Sequence, residues 1–157
     1  FKYRCFILHF KTKFKFDLIL IKQTIHLLKK KEIKKLLYIC KNKLNANGKI
    51  IILSLDPEKN EIPTFFLMKK KLHKSLKRDK SYFDLIKKNY PKIIIKQFIF
   101  KVKISKKKYI QMIKKRYIST LLSFNEKQIA DGLIEIKNKY KKELKFKDRL
   151  ICLIIRN

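Results

Sequence analysis

The chain has 157 residues, 46% of them hydrophobic, which is apolar material for one core and too little length for two independent domains to be expected. Lys and Arg number 43 against 12 Asp and Glu, a formal charge of +31, which excludes an acidic surface and brings in a polyanion such as RNA as a candidate partner. Arg stands only at Arg4, Arg78, Arg116, Arg149 and Arg156, however, and Arg is the better residue for bidentate phosphate recognition. Val occurs once, at Val102, Ala only at Ala46 and Ala130, and Ile, Asn, Phe and Tyr abound. Residues with A- and T-rich codons replace their physical equivalents throughout, so coding bias from an AT-rich genome ranks ahead of selected polyanion binding.

In chain order, residues 16–21 (FDLILI) are apolar on both faces after Asp17, as a central parallel strand requires. Ile33, Leu36, Leu37, Cys40 and Leu44 then recur at helical spacing, and Asn45-Ala46-Asn47-Gly48 reads as the turn that ends this helix. Residues 49–55 form the next buried strand, closed by Asp56-Pro57. Residues 62–77 and 81–88 read as a helix pair, with Phe65, Phe66, Met68, Leu72 and Leu76 as the buried positions of the first and Ser81 as the cap of the second. After Pro91, residues 93–104 read as a long strand with one wetter face, Ser105 caps a helix through Met112 and Tyr117, and Asn125 with Gln128 makes a capping-box start for a helix with Ile129, Leu133, Ile136 and Tyr140 buried. Residues 148–155 close the chain as an apolar strand.

Cys5, Cys40 and Cys152 are odd in number, far apart and without a nearby His at ligand spacing, so neither a metal site nor a disulfide framework is indicated. Cys40 and Cys152, among apolar residues of a helix and a strand, are expected to be buried, inert thiols, and the expected setting is reducing and cytoplasmic, with an organellar one left open. The longest apolar runs are strand-sized, well below the roughly 20 residues that span a bilayer, and no membrane span is expected.

The segment FDLILIKQTIHLL, the stretch LNANGKIIILSL and the later KKRYISTLLSF, NEKQIADGLIEIKNKY and FKDRLICLII resemble class I S-adenosylmethionine (SAM) dependent methyltransferases of the small-molecule branch. That resemblance implies an α/β, Rossmann-like fold with a mostly parallel sheet, an antiparallel carboxyl-terminal edge strand and an inserted helical cover at 105–145. It also implies an incomplete domain over 1–157. The chain opens on Phe1 and holds only Gly48 and Gly132, so the glycine-rich turn of the family is absent, and weak or no cofactor binding is expected of these residues alone.

Ligands of an open parallel sheet gather beyond the carboxyl ends of its strands. The resemblance assigns the loop after FDLIL to the methionine end of SAM, hence Lys22 and Gln23 to cofactor binding. His26 is the candidate general base, although a His followed by two leucines at a helix start is more often a packing residue. Thr24, Ser54, Asp56, Arg116, Tyr117 and Ser119 are the candidate contacts to a small-molecule acceptor. The bland readings are a turn cap for Thr24, a strand exit for Ser54 and Asp56, and helix-face packing for the last three. Two other functions compete: an RNA-modifying or RNA-binding basic protein, carried by the charge, and a non-catalytic methyltransferase relic, carried by the missing glycine turn.

Overall fold

In the computed structural model, which describes residues 13–157, β1 (Phe16–Lys22) and β2 (Leu44–Leu55) lie side by side and parallel. Leu18 faces Lys49 across the pair and Lys22 faces Leu53. A parallel pair needs a crossover, and α1 (Lys30–Asn42) supplies it by burying Ile33, Leu36, Leu37 and Cys40. Cys5 lies outside the described residues. Cys40 and Cys152 are both buried and free, and burial pushes the Cys40 thiol up to about 11, so neither is poised to form a thiolate.

Two further strands complete a four-stranded sheet of order β1-β2-β4-β3, in which β3 is Ile94–Ser105 and β4 is Glu143–Arg156. The last strand in sequence inserts beside β2 and runs antiparallel to it, from Lys49 opposite Arg156 to Leu55 opposite Leu150. The edges are therefore β1 and β3 among the described residues. Leu18 and Leu20, read from the sequence as buried on a central strand, are half exposed there.

The segment 45–48 is not the turn that the sequence suggests. The α1 helix stops at Asn42, where Lys43 donates its amide to the Cys40 carbonyl, and Leu44 already belongs to β2. Phe16 pairs with Leu44 and Leu18 with Lys49, so residues between them bulge out of register. Gly48 serves close approach rather than a left-handed turn: a Cβ there would stand 2.8 Å from the Phe16 carbonyl oxygen and 3.1 Å from Leu44 Cβ.

The helix pair is one helix, α2 (Phe66–Asn89), 24 residues long. Between Thr64 and Pro91 no Gly or Pro interrupts it, and Phe65, Met68, Leu72, Leu76, Asp79, Phe83 and Ile86 form one unbroken buried stripe at helical spacing. Ser81 therefore sits inside the helix rather than at a helix start, and Phe66 is 69% exposed because the stripe passes through Phe65 instead. The other two helix starts are as expected. In α3 (Lys106–Lys114) the Ser105 side chain accepts from the Lys108 amide, and in α4 (Glu126–Lys139) Asn125 and Gln128 exchange both capping-box hydrogen bonds, at 2.8 and 3.0 Å.

Contacts divide the described chain into two compact units, one of residues 13–55, 81–98 and 150–157 and one of 56–80 and 99–149. The first is built around Ile21, Ile25, Ile33, Leu36, Ile50, Ile52, Phe83 and Leu153. The second has its own core, in which Phe65, Met68, Tyr109, Ile113, Leu133 and Leu144 pack together. Among the described residues no helix is long and apolar enough to cross a membrane.

Gly132 offers a test with an unambiguous sign. Gly to Ala inside a helix ordinarily stabilises by about 1 kcal/mol, but a Cβ at Gly132 would lie 2.5 to 2.7 Å from three Phe65 ring atoms. We expect Gly132→Ala to lower stability by about 1–3 kcal/mol, the usual cost of overpacking, measured by chemical denaturation. An Ala variant as stable as the parent, or more so, would contradict the packing of Phe65 on α4.

Candidate functional site

In the first unit the interest lies where β1 ends. Lys22 is its last residue and is exposed. Gln23 follows with φ 53°, in the left-handed region that favours glycine, and its amide donates 2.8 Å to the Leu53 carbonyl of β2. A left-handed residue without a Cβ-free excuse costs about 1–2 kcal/mol. The chain spends that here to turn sharply off the sheet while keeping one more hydrogen bond to the neighbouring strand.

Thr24 begins the 3-10 turn Ile25–Leu27, but its side chain makes no cap hydrogen bond; its backbone carbonyl accepts from the Leu27 amide at 2.9 Å. The Thr24 hydroxyl thus does not serve as the cap that the bland reading assigned to it. Ile25 is fully buried and Leu28 nearly so, which pins the turn on both sides of half-buried His26. Ser54 lies further along β2, opposite Ile151 and 2% exposed. This unit therefore holds Lys22, Gln23, Thr24, His26 and Ser54, with Gln23 tied to the residue before Ser54.

The second unit contains Asp56, Arg116, Tyr117 and Ser119. Asp56 is buried, and its Oδ1 accepts from the Glu58 and Lys59 amides at 2.9 and 3.1 Å, an Asx turn that shapes the chain around Pro57. Its own amide donates to the Arg149 carbonyl at 2.9 Å. Ser119 opens the 3-10 helix Ser119–Ser123 and is exposed.

Arg116 closes α3. Its φ is 54°, its amide donates to the Ile113 carbonyl and the Tyr117 amide to that of Met112, the paired bonds of a Schellman ending, with Arg where Gly usually stands. The guanidinium then bends over the following loop. Nη1 donates to the carbonyls of Leu121 and Phe124, both at 2.6 Å, and Nη2 to Glu126 Oε1 at 2.7 Å. Glu126 is almost wholly exposed, so the ion pair itself contributes little. The two carbonyls matter more, because charged donors hold them.

Tyr117 joins a buried chain of hydroxyls that the sequence did not signal. The Tyr109 hydroxyl donates to the Pro63 carbonyl and lies 3.0 Å from that of Tyr117, so Tyr117 is the donor in their shared bond. Burial drives the pKa of both phenols upward, and nearby Asp148 pushes Tyr117 further, so both stay protonated donors. Burial also raises the Asp148 carboxyl, whose Oδ1 is buried without a hydrogen-bond partner among the described residues. Tyr109 could have been found from its helical spacing to Ile113. Asp148, between Lys147 and Arg149 in a strand, gives no signal of its burial.

Two outcomes follow from these geometries. Arg116→Met should cost about 2–3 kcal/mol, because hydrogen bonds from a charged donor to the Leu121 and Phe124 carbonyls are lost; a cost near zero would show that water serves those carbonyls equally well. For Asp148 the folded pKa lies above the ordinary carboxyl value, so the fold favours the protonated form and loses stability as pH rises from about 4 toward the raised value. Asp148→Asn should therefore melt higher than the parent at neutral pH, with the difference shrinking toward acid. A difference independent of pH would refute the assignment.

No family model matches the chain, and no curated protein does either. Solved structures do match. One is an inferred methyltransferase from an antibiotic biosynthesis pathway of Anabaena variabilis, 15% identical, with 90% of this chain aligned to 69% of that one at a TM-score of 0.56. Others are the plantazolicin methyltransferase BpumL with a pentazolic desmethylPZN analog and SAH, 14% identical over 96% of this chain and 56% of that one at a TM-score of 0.42, and phosphoethanolamine N-methyltransferase 2 of Haemonchus contortus with phosphomonomethylethanolamine and S-adenosylhomocysteine, 10% identical over 96% and 36% at a TM-score of 0.43. The chain spans about half or less of the length of these last two. The first likeness shows the fold: an α/β sheet of the class I methyltransferase type.

Proposed function

We propose that this chain takes part in SAM-dependent methyl transfer to a small-molecule acceptor, and that the loop leaving β1 receives the methionine end of the cofactor. The observation that carries the reading is the left-handed Gln23 at the carboxyl end of a parallel strand, where ligands of such sheets gather. Strain of this kind persists where surrounding structure over-determines it, and it clusters at ligand sites. The donor set suits the group. An ammonium at Lys22 and a carboxamide at Gln23 match a carboxylate beside an amine, the two ends of an amino acid.

When bound, SAM supplies an activated methyl group on a sulfonium. Lys22 and Gln23 orient the amino-acid end, and the rigid turn between buried Ile25 and Leu28 fixes their direction, since positioning supplies much of the rate of a near-linear transfer. His26 takes the proton from an N–H or O–H acceptor, and exposed Thr24 contacts that acceptor, whereas Ser54 is buried on β2. Asp56 and Arg116 we assign to shaping the chain, because their polar atoms are engaged in the turns just described. Leu18 and Leu20 on β1 are apolar and half exposed, so one face of this strand is open to a covering element.

Titration of S-adenosylhomocysteine into the protein carrying these residues is the test. Gln23→Gly removes the side chain and relieves its backbone, so it should raise thermal stability while weakening binding by about tenfold, or 1.4 kcal/mol. His26→Gln should leave that affinity unchanged and slow transfer. Affinity indifferent to both Gln23→Gly and Lys22→Ala would exclude this loop, and absence of binding by the parent protein would favour the non-catalytic relic.

A further inference from the structure

An open groove of about 740 Å³ lies wholly within the second unit, between the segment that follows Asp56, the first turns of α2 and the end of α4. We infer that it binds a small molecule with one anionic group, a carboxylate or phosphate, on an apolar body. The inference does not depend on methyl transfer.

The apolar part has its walls in Ile62, Pro63, Leu72, Leu76 and Phe66, the last being 69% exposed although it opens a helix. A ligand covering such a ring removes apolar surface from water at about 25 cal/mol per Å². The charges in the groove do not cancel. Its two carboxylates are already engaged, Glu58 with Lys80 at 2.8 Å and Glu61 with Arg149 at 2.8 Å. The Arg149 hydrogen bond holds the Glu61 carboxyl below its ordinary range, so it stays an anion committed to that partner. Lys69, Lys70 and Lys139 also line the groove, and among the described residues no carboxylate pairs with any of them. These three lysines outnumber the one carboxylate beside them, Glu135, whose Oε2 accepts from the Phe66 amide at 2.8 Å, and that surplus of positive charge attracts an anion.

A further donor stands in the same wall. The Asn60 carboxamide is oriented by the Ile62 amide, which donates to its Oδ1 at 3.0 Å, and this leaves Nδ2 buried with no acceptor among the described residues. An unmet buried donor costs about 1–3 kcal/mol, and a small outward shift of the Asn60 carboxamide would let a ligand oxygen relieve it. The net charge of the whole chain cannot account for that placement. Diffuse attraction has no preference for a recess over the lysine-covered face of α1.

The test compares three probes with one apolar body and different heads: phenylbutyrate, phenylbutanol and phenylbutylamine. Each is titrated at about 0.15 M salt, where exposed charges more than about 8 Å apart are largely screened, while the Asn60 side-chain amide signals are followed by NMR. We expect phenylbutyrate to bind and to shift the Asn60 signals, phenylbutanol to bind about tenfold more weakly, and the amine not to bind. Lys69→Gln with Lys70→Gln should bring phenylbutyrate down to the affinity of the alcohol and leave the alcohol unchanged. Lys34→Gln with Lys35→Gln, on α1, should change neither. Equal binding of the three probes, equal losses from the two double variants, or no binding of phenylbutyrate would overturn the inference.

Discussion

The parallel pairing of β1 with β2 is the constraint on which the first unit depends. It leaves the chain no short way back and so requires α1 as a crossover, and it brings both strand ends to the same side of the sheet. The hydrogen bond from the Gln23 amide to the Leu53 carbonyl extends the ladder past the last residue of β1, so the loop that follows leaves from a fixed point. At the other end of the pair Gly48 tolerates a bulge that closer side chains would forbid, with the Phe16 carbonyl 2.8 Å from where a Cβ would sit. Strain at Gln23 and closeness at Gly48 are local costs that the buried Ile21, Ile50 and Ile52 rows outweigh.

The second unit solves a different problem, how to end helices in a chain with two glycines. Arg116 takes the left-handed position that glycine usually fills after a helix, and its guanidinium then holds the carbonyls of the next loop. One residue thus both ends α3 and ties it to the stretch leading into α4. Gly132 is reserved for the place where a helix must pass a Phe65 ring. Both glycines therefore serve packing.

The order of strands and helices was legible in the sequence because it rests on periodicity: the alternations in 16–21 and 49–55, the stripe from Ile33 to Cys40 and the capping pair Asn125 and Gln128 all correspond to observed elements. What misled was punctuation. Asn45-Ala46-Asn47-Gly48 has turn composition yet lies in a strand as a bulge, since register is set by a partner 28 residues upstream. Asp79 through Ser81 looks polar enough to break a helix, but Asp79 sits on the buried stripe beside Arg78 and α2 runs through. The position of the loop after β1 was visible from strand order alone. The left-handed Gln23 and the group of Tyr109, Tyr117 and Asp148 were not, because they depend on residues distant in sequence, and the engaged donors of Arg116 were not, because the path of the loop after α3 decides which carbonyls they meet.

The central claim is that the turn leaving β1 is a cofactor site. Amide chemical-shift mapping during titration with S-adenosylhomocysteine tests it most directly, since it locates even weak binding. The account predicts that the largest shifts fall on residues 22–28 and on Leu53 and Ser54, the strand that receives the Gln23 amide. Shifts confined to other parts of the chain would contradict it.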